Sequence, residues 1–190
     1  MGSDSAAEPS AVLFDRDGTL VVDVPYNGDP GRVEAMPTAA EALGLLRDAG
    51  IPVGVVTNQS GIARGLVSSE DVARVNRRIE ELLGPFNTWR VCPHADEDDC
   101  PCRKPRPGLI FQAAEELGVL PRQVAVIGDI GADMEAAAAA GATSVLVPTE
   151  LTRFGEVIDA PNVAPDLVMA VQLLLSGRAL GPVRQGESVE

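Results

Sequence analysis

The 190-residue chain has few aromatic residues and no long apolar run. Aromatic side chains make up 3% of the sequence, so the core must be built from alanine, valine, leucine and isoleucine. No apolar stretch approaches the roughly 20 residues that a membrane-spanning helix needs, which excludes such a helix. The opening segment MGSDSAAEPS has neither a basic start nor an apolar stretch. It therefore predicts no secretory signal, and we expect a cytoplasmic protein.

Basic residues are also scarce, because 15 lysines and arginines face 28 aspartates and glutamates, giving a formal net charge of −13. Such a chain is a poor candidate for binding nucleic acid or an anionic membrane through a broad basic face. We expect neither partner, although a phosphate could be bound where a few cations, backbone amides or a metal converge. With 45% apolar and 23% charged residues, the composition is typical of a globular domain.

The rarest residues lie close together in the sequence. The only lysine, the only histidine and all three cysteines fall between positions 92 and 104: Cys92, His94, Cys100, Cys102 and Lys104. Three cysteines cannot all pair within one chain, so they do not predict a disulfide scaffold. The spacing C-x-H-x5-C-x-C instead supplies three thiolates and one imidazole, the ligands of a closed, structural Zn²⁺ site.

Two other interpretations of this loop stay open. The cysteines could be free thiols beside an incidental histidine, or Cys100 and Cys102 could form a redox pair. The redox pair is the weaker interpretation, because C-x-C differs from C-x-x-C and leaves Cys92 and His94 unexplained. The acidic run at 96–99 favours zinc, since a loop this polar needs a metal to order it.

Apolar segments without alternation are separated by amphipathic helices, which is typical of a parallel sheet covered on both faces. We predict an α/β fold with a single doubly wound, Rossmann-like parallel sheet. The expected strands lie at 11–14, 53–57, 89–91, 124–127 and 144–147, and the expected helices at 38–49, 69–83, 108–117, 134–140 and 166–175. The domain should span 11–176, with the zinc loop at 92–102, a disordered segment at 1–10 and a flexible tail at 177–190.

Two parts of the chain between the predicted elements bear on the architecture. The intervals 17–57 and 57–104 are too short to hold an independent cap domain, so we expect an open site shaped by loops. The segment 149–165 gives no clear pattern and could be a loop or an oligomer contact.

Carboxylates follow two of the predicted strands. Asp15 and Asp17 come after the first strand, and Asp129 follows the fourth, with Asp133 four residues further on. The carboxyl ends of parallel strands meet at one sheet edge, where such folds bind ligands, so these groups should lie near Thr57. Carboxylates this close suit Mg²⁺, although Asp15 and Asp17 could instead build a cap or an Asx turn.

This set of side chains permits phosphoryl transfer. A carboxylate can attack phosphorus and form an aspartyl-phosphate. A second carboxyl group can protonate the departing alcohol and later deprotonate the attacking water. Thr57 and Lys104 could hold the remaining phosphoryl oxygens as charge redistributes.

Four segments, FDRDGTL, VVTNQSG, the lysine of CRKPRPG, and VIGDIGAD, resemble the ordered motifs of the haloacid dehalogenase-like phosphotransferases. The resemblance implies that Asp15 is the nucleophile and Asp17 the general acid and base. It implies that Thr57 and Lys104 steady the phosphoryl group. The implied magnesium ligands are the Asp15 side chain, the Asp17 carbonyl oxygen and Asp129.

The resemblance covers residues 11–148 and implies that Asp133 orients Lys104 or a metal-bound water. The segment CPH…CPCRKPRPG, together with Arg16, is similar to one branch of that family, the zinc-loop phosphatases. Within this branch TNQSGIARG resembles the heptose enzymes, which implies hydrolysis of D-glycero-D-manno-heptose 1,7-bisphosphate at the 7-phosphate. The implied substrate contacts are Asp23, Tyr26, Thr57, Asn58, Gln59, Ser60, Arg103 and Lys104.

Two departures keep other functions open. Ile130 stands where some heptose enzymes have a polar or basic residue, and the zinc loop is short, as in the histidinol enzymes. Histidinol phosphate or another small phosphomonoester is therefore the alternative substrate. A non-catalytic, zinc-stapled interaction module is the alternative of a different class, but it would not be expected to keep Asp15, Asp17 and Lys104. We expect a monomer whose partner is a small phosphorylated substrate.

Overall fold

The protein's central feature is one sheet of five parallel strands in the order β3-β2-β1-β4-β5. The structure is a computed structural model that describes residues 8–176. The strands are β1 (Ala11–Phe14), β2 (Val53–Asn58), β3 (Thr88–Cys92), β4 (Val124–Gly128) and β5 (Thr143–Leu146). β1 lies in the centre, with Val12 opposite Val53 of β2 and Leu13 opposite Val126 of β4. The carboxyl ends of all five strands therefore point to the same edge of the sheet.

Helices cover both faces of this sheet. They are α1 (Ala39–Asp48), α2 (Ser69–Leu83), α3 (Gly108–Leu117), α4 (Gly131–Ala140), α5 (Phe154–Asp159) and α6 (Leu167–Leu175). Side chains of α1, α2 and α6 pack on the face that carries Val12 and Phe14. Side chains of α3 and α4 pack on the face that carries Ala11 and Leu13. Because β1 is buried on both faces, it is apolar at every position, as a central parallel strand should be.

The predicted doubly wound α/β class is confirmed, and two local predictions need correction. The segment 149–165 contains the short helix α5, which the sequence did not indicate. Helix α4 begins at Gly131 rather than Met134. Thr38 makes no side-chain cap on α1; its hydroxyl oxygen accepts a hydrogen bond from the Leu167 amide at 3.3 Å and so links α1 to α6.

The predicted absence of a cap domain agrees with the described residues. Between β1 and β2 they contain a short 3-10 turn (Pro30–Arg32) and α1, and between β2 and β3 they contain α2. Across residues 8–176, no helix combines the length and the apolar character needed to cross a bilayer. The predicted tail at 177–190 and most of the predicted disordered segment 1–10 lie outside the described residues. Ser10, the last residue of that segment, donates its amide to Gln123 at 2.7 Å.

Candidate active site

The carboxyl ends of β1, β2 and β4 bring the predicted site residues together at a cavity of about 400 Å³. This follows from the parallel pairing, which places Thr57 at the end of β2 and Asp15 and Asp129 just past the neighbouring strands β1 and β4. The cavity is lined by residues 15–17, 23–26, 57–61, 104, 129, 130 and 151. All predicted substrate contacts are on this list except Arg103.

Lys104 forms a buried ion-pair cluster with two carboxylates. Its Nζ donates to Asp15 Oδ1 at 2.6 Å, to Asp133 Oδ1 at 2.5 Å and to the Val56 carbonyl oxygen at 2.9 Å. The lysine is 4% exposed and Asp133 is fully buried. Burial alone would lower the pKa of Lys104, but the carboxylates of Asp133 and Asp15 raise it above its usual range. Lys104 is therefore held as a cation beside Asp15.

Asn58 explains how a lysine from the loop after the edge strand reaches the centre of the site. Its side-chain amide donates to the Lys104 carbonyl oxygen at 3.0 Å and accepts from the Lys104 amide at 3.1 Å. This pair of bonds fixes the Lys104 backbone against the end of β2. The sequence predicts that Asn58 contacts substrate, and no motif in it indicates this bond across 46 residues.

Asp129 lies against the turn that follows β1. Its Oδ1 accepts a hydrogen bond from Thr19 Oγ1 at 3.1 Å. Gly18 has a φ of +80°, and a Cβ at this position would overlap the Asp129 carboxylate. Thr152, from the segment 149–165 in which the sequence shows no clear pattern, donates its hydroxyl to the Asp129 carbonyl oxygen at 2.6 Å. These contacts fix the Asp129 carboxylate beside the Asp15 strand end.

The three acids together could hold a divalent cation. Asp15, Asp129 and Asp133 each offer a carboxylate oxygen, and these oxygens lie within 4.8 Å of one another. Burial is the main cause that raises the pKa of Asp15, to about 8, with the neighbouring carboxylates adding to it. Burial and then Asp133 raise the pKa of Asp129 to about 7. Crowded, buried carboxylates of this kind favour a bound cation, and their hard oxygen ligands suit Mg²⁺.

Asp17 faces the same cavity from the other side of the β1 turn, with its side chain 24% exposed. Its Oδ2 accepts a hydrogen bond from Gln59 Nε2 at 2.7 Å, and the same nitrogen donates to Thr57 Oγ1 at 2.9 Å. Thr57 thus keeps its hydroxyl hydrogen for another acceptor. Partial burial and the charge of Asp17 raise the pKa of the exposed Asp23 nearby.

A chain of polar contacts extends outward from Tyr26, which lines the cavity. Tyr26, which has a φ of +51°, accepts a hydrogen bond from Arg64 Nη1 at 2.9 Å. Asp96 lies 3.9 Å from Arg64 and accepts from Arg103 Nε at 2.5 Å. Arg103 lines a neighbouring cavity of about 170 Å³ with Lys104 instead of the larger one. Arg103 is therefore paired with Asp96 in the structure, and its contact with substrate stays a prediction.

The four predicted metal-loop residues converge. The Sγ atoms of Cys92, Cys100 and Cys102 lie 3.2–3.6 Å apart, and His94 Nδ1 lies 3.3 Å from Cys102 and 3.6 Å from Cys92. A tetrahedral ion with metal–sulfur bonds of about 2.3 Å separates its sulfur ligands by about 3.8 Å, so the cluster is close to a metal-binding geometry. All three cysteines are free and buried. Arg106 supports the loop by donating to the Cys100 carbonyl oxygen at 2.6 Å.

Comparisons with known proteins agree with this arrangement. Residues 26–141 match the family described as haloacid dehalogenase-like hydrolase. A Mesorhizobium japonicum protein named D-glycero-beta-D-manno-heptose-1,7-bisphosphate 7-phosphatase is 39% identical over 69% of this chain, and the match spans 65% of that protein. A Pseudomonas aeruginosa protein of the same name is 37% identical, over 74% of this chain and 82% of its own.

A solved structure adds to these sequence matches. The D,D-heptose 1,7-bisphosphate phosphatase from B. bronchiseptica, complexed with magnesium and phosphate, superposes with a TM-score of 0.75 and is 29% identical. The superposition covers 88% of this chain and 99% of that one.

Proposed function

Because the chain belongs to the haloacid dehalogenase-like hydrolase family, we propose that it is a Mg²⁺-dependent phosphatase that works through an aspartyl-phosphate. The substrate we propose is D-glycero-D-manno-heptose 1,7-bisphosphate, hydrolysed at the 7-phosphate, as in the names of its relatives. The observation that carries the proposal is the buried cluster of Asp15, Lys104, Asp129 and Asp133 at the cavity. An inert interaction module would have no reason to keep four buried charges together.

Asp15 is the nucleophile in this proposal, with an Oδ atom attacking the phosphorus. The P–O bond to the sugar breaks as the new bond forms, and Asp17 donates its proton to the departing alkoxide. Asp17 then removes a proton from water, whose oxygen attacks phosphorus and releases Asp15 and inorganic phosphate. Lys104 and the Thr57 hydroxyl hold the phosphoryl oxygens.

The proposed magnesium ligands are the side chains of Asp15 and Asp129 and the carbonyl oxygen of Asp17. When bound, Mg²⁺ supplies the positive charge that offsets repulsion between the nucleophile and the phosphate. Asp133 serves the cation indirectly, because its carboxylate is committed to Lys104 at 2.5 Å and to the Ile130 amide at 3.4 Å.

We propose a structural Zn²⁺ at Cys92, His94, Cys100 and Cys102. Four protein ligands leave no open position for chemistry, and the donor set is the soft one that zinc prefers. Because Arg103 and Lys104 follow Cys102 directly, the metal would fix the path of the chain into the active site.

Phosphate release from a panel of compounds tests the proposed function. The panel contains both anomers of the heptose bisphosphate, histidinol phosphate, other sugar phosphates and an aryl phosphate, each with Mg²⁺. Asp15→Asn should abolish release, whereas Asp48→Asn, an exposed acid on α1, should not. Preference for the heptose compound supports the full proposal, and preference for histidinol phosphate supports the alternative that the short zinc loop suggests. Absence of any Asp15-dependent release would refute the phosphatase and favour the interaction module.

A further inference from the structure

Arg16 stands out among the described residues because it is the largest fully buried side chain, with an exposed fraction of 1%. It lies between the nucleophile and the acid-base residue in sequence, yet none of the roles proposed so far requires a cation there. An arginine is seldom buried unless its guanidinium is satisfied by partners. Its contacts therefore indicate what it does.

The Arg16 guanidinium forms an ion pair with the carboxylate of Asp17 through two of its nitrogens. Nε lies 3.1 Å from both Asp17 oxygens, and Nη2 lies 2.9 Å from Oδ2. Its third donor, Nη1, reaches Asn76 Oδ1 on α2 at 2.8 Å. The planar fork of arginine matches a carboxylate in a way that a lysine ammonium cannot. Asp17 is thereby linked to a helix that is packed on the sheet.

Gln59 completes the set of contacts on Asp17. Its Nε2 donates to Asp17 Oδ2 at 2.7 Å from the side of Thr57. With Arg16 on one side and Gln59 on the other, the carboxylate has little freedom to rotate, although a quarter of the side chain faces the cavity. This restraint matters because a group that transfers a proton must lie within hydrogen-bond reach of the reacting oxygen.

We propose that Arg16, anchored by Asn76, is a positioning residue that holds the Asp17 carboxylate where it can transfer protons to and from the reacting oxygens. This inference rests on the proposed phosphatase function and deepens it. Arg16 touches no reacting atom in this scheme and acts only through Asp17. The guanidinium contacts Asp17 through Nε and Nη2 and is held by Asn76 through Nη1, so it fixes both the position and the plane of the carboxylate.

The two halves of the reaction give a way to isolate this role. With an aryl phosphate the leaving phenolate needs little help from a proton donor, so formation of the aspartyl-phosphate depends weakly on Asp17. Hydrolysis of the aspartyl-phosphate always requires a base to take the proton from water. Misplacing Asp17 should therefore slow the second half-reaction more than the first.

The test uses Arg16→Met and Asn76→Ala, with Arg77→Met as the matched control. Methionine fills a buried site without a charge, and Asp17, being partly exposed, is not left as a fully buried ion. Arg77 is an exposed arginine on the same helix. In Arg16→Met we expect kcat for the sugar phosphate to fall about 100-fold with an unchanged KM. Asn76→Ala should give a smaller loss of the same kind, and Arg77→Met none.

Rapid mixing with the aryl phosphate supplies the decisive measurement. Both network variants should release a burst of phenol stoichiometric with enzyme, followed by a slow steady state. Equal slowing of both phases, or wild-type kinetics in Arg16→Met, would overturn the positioning role. If Arg16→Met does not fold, the burst in Asn76→Ala decides. If the unmodified protein turns over none of the substrates in an Asp15-dependent way, the proposed function itself is overturned.

Discussion

At the scale of single residues, the site depends on one lysine that neutralises two buried acids. Lys104 Nζ bonds both Asp15 and Asp133, and all three side chains are removed from water. Removing one member of such a group is costly, because the remaining charges stay buried without compensation. The lysine therefore matters to the stability of the protein as well as to its chemistry.

We expect Lys104→Met to lower the free energy of unfolding by about 3–5 kcal/mol above about pH 8, where Asp15 is ionised, since it leaves two carboxylates buried side by side. Urea denaturation measures this, with Arg78→Met on the exposed face of α2 as the control. Phosphate release should fall below detection in the same variant. The destabilisation should shrink in acid, where the carboxylates are protonated; a loss that is independent of pH would contradict the ion-pair explanation.

Gly18 is a second residue whose identity the structure explains. Its φ of +80° and its contact with the Asp129 carboxylate leave no room for a side chain. Gly18→Ala should weaken magnesium binding and lower stability by at least about 1 kcal/mol. Gly44→Ala in α1, where a Cβ would meet nothing within 4 Å, should instead raise stability by about 0.5–1 kcal/mol. Thermal unfolding with and without Mg²⁺ compares the two, and equal effects would count against the steric argument.

Much of the site could be predicted from residue types at strand ends. Asp15 and Asp129 directly follow apolar strands and Thr57 lies at the end of one, and parallel pairing brings such positions together. The Asn58 amide that holds the Lys104 backbone could not be predicted, because the bond depends on how two distant loops cross. The same is true of Arg16, whose burial beside Asn76 depends on the packing of α2.

At the scale of elements, the strands and the longer helices followed from apolar patterns, whereas α5 did not. This helix has six residues and buries none of its side chains, so it lacks the periodic apolar face that identifies a helix. The sequence predicts the start of α4 three residues late, because Gly131 and Asp133 are poor helix formers. Asp133 stands in the first turn and accepts from the Ile130 amide, which offsets that weak propensity.

The loop between β3 and α3 is the element most dependent on its proposed metal. We expect about one zinc per chain by elemental analysis, lost in Cys102→Ser and kept in Glu97→Gln, an exposed acid of the same loop. The cysteine variant should be cut by protease within 92–104 and should lose activity, because Lys104 is two residues from Cys102. Full activity in a zinc-free protein would contradict this.

At the scale of the whole molecule, stability should depend on pH and magnesium together. Burial raises the pKa of Asp15 from 3.8 to about 8, so the folded, metal-free protein binds this proton more tightly than the unfolded chain. Its contribution to stability is full below about pH 4 and is lost as the pH rises through about 8. Asp129, with a pKa of about 7, adds to the same trend.

Magnesium should reverse this trend, because it needs the carboxylates and displaces their protons. We expect the rise in melting temperature caused by Mg²⁺ to grow between about pH 5 and about pH 8, within the window set by the Asp15 pKa. Asp15→Asn should remove most of the dependence, and Asp48→Asn should preserve it. An equal magnesium effect at both ends of that range would show that the carboxylates are already ionised in the metal-free protein.

The central position of β1 has a consequence for biosynthesis. One edge of β1 can pair with β2 early, but its other edge must wait until β4 has been made. Thr19, which follows β1, must likewise wait for Asp129, which lies 110 residues later in the chain. While the ribosome makes the intervening residues, that strand edge stays open and vulnerable to aggregation. Asp15, the proposed nucleophile, is therefore among the first site residues synthesised and among the last to be enclosed, so enzymatic activity would report the completion of the sheet.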